Sequence, residues 1–202
     1  MPFIDGFLVG FAMVIFVGPV LFTILQIAFG KGFWAGIMAS LGVFISDVIA
    51  VIICYQFSNS FLKNSIDEFW LSILGSIILF SIGFSYVLKP NLNISTIDKI
   101  SNLSLFTAFL KGFLVNFVNP FVFGVWIAVI CLAKQKYTTE NDILIYLIAA
   151  TLAVLVTDTL KVLFANKIRP LLKPTLLAKV YKVSGFALIL FGIRVLAHLF
   201  YI

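Results

Sequence analysis

Charge is scarce in this chain. Only 11% of its 202 residues are Asp, Glu, Lys or Arg, where soluble domains carry about 25%. Hydrophobic residues make up 62%. That balance excludes a large soluble domain beside the apolar segments and marks an integral membrane protein. Cysteine is nearly missing as well. Cys54 and Cys131 lie in apolar stretches, so no disulfide framework is implied. His198 is the single histidine, close to the end of the sequence, and is assigned no role. The chain lacks the Cys or His clusters that soft metals require. It also lacks the GxxxxGK[ST] loop of a self-contained ATP-driven pump and the nucleophile–base constellation of an enzyme. No cofactor is expected. No Lys or Arg precedes the first apolar run, so "MPFIDGF" does not have the form of a cleaved signal peptide. The net charge of +6 sits mainly in loops. There it reads membrane orientation, not nucleic-acid binding.

What the chain does have is long apolar runs. A spanning helix needs about 20 apolar residues. Six segments meet this: Phe7–Phe29, Gly36–Phe57, Phe69–Leu88, Gly112–Ala133, Ile143–Phe164 and Val180 to the end. The expected fold is an all-α integral membrane protein with six transmembrane helices in one transmembrane domain. The polar stretch 89–104, "KPNLNISTIDKISNLS", separates residues 1–88 from 105–202, three spans on each side.

The two sides resemble each other. Phe7-Leu8-Val9-Gly10-Phe11 matches Phe109-Leu110-Lys111-Gly112-Phe113. Eight residues after each glycine comes a helix breaker, Gly18 (followed by Pro19) and then Pro120. Each half then places an aspartate in its second span, Asp47 and Asp158. Asp47 follows Pro19 by 28 residues and Asp158 follows Pro120 by 38. The extra ten fit the polar insert "KQKYTTENDI". Three spans are an odd number, so the second copy enters the membrane from the opposite side. That is the inverted-repeat construction of many secondary transporters. With both termini outside the cytoplasm, nine loop Lys and Arg residues lie inside and only Lys63, Lys134 and Lys136 outside. The positive-inside bias favours that orientation.

Polar residues within the spans are few. Asp47 and Asp158 are the only acids there. A charged aspartate at the bilayer centre costs at least about 2.5–3.5 kcal/mol on insertion scales. Such a group either packs in neutral form or faces a cavity and exchanges protons. Asp158 has Lys161 one turn away, which allows a structural ion pair or a site. Pro19 and Pro120 are the only prolines inside spans. Each frees a carbonyl one turn earlier, which must find another partner. Thr23 and Gln26 share a helix face with Pro19, and Asn116 and Asn119 share one just before Pro120. One such proline reads as a packing kink. Two at matching repeat positions, with Gly18 and amides beside them, point to a substrate and proton pathway. It comprises Gly18, Pro19, Thr23, Gln26, Asp47, Asn116, Asn119, Pro120 and Asp158. Arg194, near the end of the last span, is expected to snorkel to the interface.

These motifs resemble the LysE/RhtB family of amino-acid exporters. Val17-Gly18-Pro19 stands where the family has Pro-Gly-Pro, with Val17 replacing the first proline. "GKGFWAGIMASLGVFISD" supplies the family's Gly-rich stretch and second-helix aspartate, ending at Asp47. Asn119-Pro120 supplies the Asn-Pro pair of the second half. The resemblance spans nearly the whole chain. It implies export of amino acids or similar small solutes across the cell (inner) membrane, driven by the proton gradient. The partners would be the lipid bilayer, the solute and protons, and a homodimer is compatible with the sequence. Two other classes stay open. A hard-cation exporter of related architecture could use Asp47 and Asp158. A membrane thiol–disulfide carrier would have to bring Cys54 and Cys131 together.

Overall fold

Residues 1–15, 19–60, 65–88, 104–168 and 174–198 are described by the computed structural model. Among them every regular element is helical. Helix α1 (Pro2–Ala12) runs into a 3-10 turn at Met13–Ile15, and α2 (Pro19–Lys31) follows. Then come α3 (Phe33–Ser60), α4 (Ser65–Leu88), α5 (Leu105–Phe117), α6 (Pro120–Lys136), α7 (Glu140–Leu163), the short α8 (Ala165–Ile168) and α9 (Pro174–His198). Among the described residues two stretches, Phe33–Ser58 and Glu140–Leu163, are long and apolar enough to cross a membrane as single helices. Helices α5 and α6 together make a third, bent by 67°. Large apolar side chains face outward all along the bundle, among them Leu8, Phe106, Ile148 and Leu190. This is the surface a lipid environment demands.

The sequence reads residues 7–29 as one span, and the structure divides them between α1 and α2. Gly18 lies outside the described residues, and α2 begins at Pro19, where a ring with no N–H is tolerated best. The polar linker 89–104 also lies outside them, except for Ser104. Its hydroxyl accepts from the Thr107 N–H and starts α5. Between α2 and α3, Gly32 adopts φ 92°, a turn conformation open to glycine at little cost.

Small residues let the helices approach closely, as in membrane bundles generally. Helix α1 packs on α7 through Gly6 and Gly10. A Cβ on Gly10 would overlap the carbonyl of Ala150. Helix α5 packs on α3 in the same manner, because a Cβ on Gly112 would overlap the carbonyl of Ala39. Helices α4 and α9 pair through Gly83 and Gly185, and the Ser76 hydroxyl donates to the Gly192 carbonyl at 3.2 Å. Two buried apolar clusters result. One joins α3, α6 and α7 around Ala50, Trp126, Ile130 and Tyr146. The other joins α2, α3, α5 and α7 around Ile24, Ala39, Val43 and Val162. Asp47 lies on α3 between Val43 of one cluster and Ala50 of the other.

Asp5 ties the start of α1 to the end of α6. Its Oδ2 meets the Lys136 ammonium at 2.7 Å and accepts from the Tyr137 hydroxyl. The beginning of the chain and the α6–α7 connection therefore share one end of the molecule.

Candidate functional site

The site is built around the break between α5 and α6. A residue before proline is pushed out of the helical region, and Asn119 sits at φ −85°, ψ 106°. Pro120 has no N–H for the Asn116 carbonyl one turn earlier. That carbonyl instead accepts from the Asn119 N–H at 3.1 Å. The Asn119 side chain turns back and accepts from the Phe121 N–H at 3.1 Å, capping α6. The Asn116 carbonyl and the Phe121 N–H at the break are thus paired locally. The break also fixes the two asparagines at known places.

Asn116 is buried and points at α3. Its Nδ2 donates to Asp47 Oδ1 at 2.8 Å. The same amide lies 3.1 Å from Ser46 Oγ and 3.4 Å from the Val43 carbonyl. An amide carries two hydrogens, so Asp47 takes one and the other two acceptors share the second. Trp126, two turns into α6, donates its indole N–H to the same Asp47 Oδ1 at 2.9 Å. Asp47 is 4% exposed and has two neutral donors on one oxygen. Among the described residues its Oδ2 accepts no hydrogen bond.

A cavity of about 90 Å³ opens beside this carboxylate. The first turns of α2 and α6 reach it through Val20, Leu21, Phe121 and Val122. Helix α7 brings Asp158 and Lys161 to it. Those two form an ion pair at 2.8 Å, with side chains 6% and 14% exposed. A pair so enclosed keeps most of its Coulomb attraction. The cavity therefore holds one carboxylate with neutral partners and one carboxylate with a cation.

The structure brings Asp47, Asn116, Asn119 and Asp158 of the expected pathway to one cavity. Pro120 begins the helix that frames it, and Pro19 begins α2. Thr23 and Gln26 lie on α2, but neither is among the residues lining the cavity. Arg194 is exposed. Cys54 is buried and Cys131 exposed, and both are free thiols. Trp126 and Lys161 were not among the expected site residues. Trp126 carried a signal nonetheless: it stands in mid-span, while Trp34 and Trp70 stand near span ends, and a buried indole N–H needs a partner. Lys161 was legible only as the neighbour of Asp158.

A multi-pass helical membrane protein with charged groups in a cavity at a broken helix fits the architecture of a solute transporter. The family model for the LysE type translocator matches residues 11–199, so the chain belongs to the LysE type translocator family. That membership implies an exporter of amino acids or related solutes. Neither the comparison with curated proteins nor that with solved structures returns a match.

Proposed function

We propose that the protein is a proton-coupled secondary exporter of amino acids or closely related solutes across the cell membrane, with the cavity beside Asp47 as its transport site. One observation carries the reading. A buried aspartate, held by two neutral donors at a helix break, shares its cavity with a buried ion pair. Intramembrane acids that face a cavity mark substrate and proton paths. Pro19, Asn119 and Pro120 stand where the helices that flank it begin or break, while Asp47 and Asp158 supply the charge; Gly18, outside the described residues, belongs to the proposed path by its place in the sequence. Thr23 and Gln26 enter this proposal as residues of α2 that would line the path in another conformation.

An inverted repeat fits the packing. Gly10 and Gly112 occupy matched positions in the two halves, and Ala39 and Ala150 each stand eight residues before an aspartate. The contact of Gly10 with Ala150 and that of Gly112 with Ala39 are then the same contact, exchanged between halves. Val43 and Val154, each four residues before its aspartate, both line the cavity. A site on such an axis suits alternating access, because each half can close one side. Both termini are proposed to lie outside the cytoplasm.

The test is accumulation in cells. A panel of amino acids and dipeptides is supplied to cells with and without the gene. Lower steady-state intracellular levels of at least one panel member are expected when the gene is present. Equal levels for every member would overturn the exporter reading.

A further inference from the structure

We infer that α6 is a hinged gate, closing the cavity toward the end of the molecule that carries Asp5 and latched at its tip by Lys136 and Tyr137. This rests on the exporter reading above and names the element that opens the cavity on that side.

The hinge lies at the break already described. Helix α5 ends at Phe117 and α6 begins at Pro120, bent by 67° from it. Val118 and Asn119 stand between the two helices. A few such residues at the ends of elements are where hinge motions are absorbed. At about 1.5 Å per residue, the 17 residues of α6 make a lever roughly 25 Å long. Its base lines the cavity with Val122, Val125 and Trp126. Its tip is Lys136, with Tyr137 just beyond.

Barriers follow in series from base to tip. Trp126 belongs both to the cavity wall and to the buried cluster of α3, α6 and α7. Val129, Ile130 and Ala133 continue that apolar plug along α6. Tyr146 of α7 belongs to the plug and also lines a cleft between α1 and α6. Leu8 and Val9 line the cleft from α1, and Leu132 and Gln135 from α6. Asp5 and Lys136 stand at the same cleft and bridge it.

Helix α1 is the fixed post. Gly6 and Gly10 seat it on the backbone of α7. Between α1 and α6 the described residues form no comparable seam. The Lys136–Asp5 ion pair at 2.7 Å spans the cleft, and the Tyr137 hydroxyl donates to the same Oδ2. On the other side of the tip, Lys134 donates to Ser58 Oγ of α3 at 2.8 Å. The Asp5 and Lys136 side chains are 25% and 59% exposed. An ion pair so open to water is weak, as a contact remade in every cycle must be. Once released, the tip swings away from α1, and the base draws Trp126 from Asp47, its acceptor at 2.9 Å.

The halves differ at this point. Asp5 stands five residues before Gly10, and its match, five before Gly112, is Thr107. The Thr107 hydroxyl shares a hydrogen bond with Ser104 in its own first turn. The matched position thus carries no charge, and the latch biases the resting protein toward closure at the Asp5 end.

Thiol labelling tests the latch without relying on transport. Cys54→Ser/Cys131→Ser removes both cysteines of the chain. A single reporter is then placed at Val129→Cys in the plug, or at Val162→Cys in the other buried cluster; each valine is 4% exposed. Purified protein in detergent is treated with a charged maleimide, with and without Asp5→Ala. Labelling at Val129→Cys should rise at least threefold with Asp5→Ala, and at Val162→Cys stay unchanged. No rise at Val129→Cys, or an equal rise at both positions, would overturn the inference. In proteoliposomes, Asp5→Cys/Lys136→Cys bridged by a short, cleavable bifunctional thiol reagent should lose solute exchange at least tenfold and regain it on reduction. Bridged protein that exchanges at the unbridged rate would also overturn it. Exchange of no panel member by the wild type would remove the exporter reading, and the labelling ratio alone would then decide the latch.

Discussion

Asp47 and Asp158 are the same residue type at matched positions, yet their surroundings give them different work. Asp158 is neutralised by Lys161 one turn on, while among the described residues Asp47 is held by an indole and an amide. A third aspartate, Asp5, illustrates a surface solution to the same problem. The Lys136 ammonium, and then the Tyr137 hydroxyl, hold its carboxyl down at about 2, below its ordinary value of 3.8. The same contact pushes the Tyr137 hydroxyl up to about 12. A carboxyl with a depressed value stabilises the fold above its unfolded value and loses that contribution as pH falls through the folded one. The contribution of Asp5 should therefore be present at neutral pH and vanish between 3.8 and about 2. Thermal unfolding of wild type and Asp5→Asn in detergent checks this. The gap in midpoint should be constant near neutrality and close below about pH 4. A gap that persists unchanged to about pH 2 would show that the clamp acts through something other than the Asp5 charge.

The broken helices are the elements on which the site depends. The prolines were legible because proline is costly inside a spanning helix, and its position in sequence is unambiguous. The consequence was legible too: the freed Asn116 carbonyl does find another donor, the Asn119 N–H. Which side chains would turn inward was not. Thr23 and Gln26 share a face with Pro19 by spacing, but spacing says nothing of how α2 is rotated against α3 and α7. Trp126 escaped because a tryptophan in an apolar run looks like packing until its N–H is seen to reach an acid 79 residues away. If the breaks shape the site, Pro19→Ala combined with Pro120→Ala should cut export at least several-fold while leaving the amount of protein in the membrane unchanged. Restored helical pairing would favour the straight form. Export assays alongside membrane immunoblots measure both quantities, and full export by the double variant would reduce the prolines to packing features.

At the scale of the whole molecule, the fold class followed from composition, and the family from the order of short motifs. Close packing through Gly10 and Gly112 was hidden, because a glycine in an apolar run has no sequence mark that distinguishes a contact from a loose end. Orientation across the membrane rests on loop charge. With nine basic residues on one side against three on the other, both termini are expected outside the cytoplasm. A reporter active only outside the cytoplasm, fused after Ile202, should be active. Activity of a cytoplasm-only reporter at the same position would reverse the orientation. The contact of Asp5 with Lys136 places the first residues and the α6–α7 connection at one end in either case.

The central claim is that Asp47 couples solute movement to protons at this cavity. Asp47→Asn keeps the size of the side chain and a hydrogen-bonding oxygen for Trp126 and Asn116, but it cannot exchange a proton. Reconstituted vesicles allow two fluxes to be compared in the same preparation: uphill solute transport driven by an imposed proton gradient, and exchange at equal solute concentrations. In the variant, uphill transport should fall at least tenfold while exchange partly survives. Uphill transport at the wild-type rate in Asp47→Asn would contradict the account and move the coupling role to Asp158.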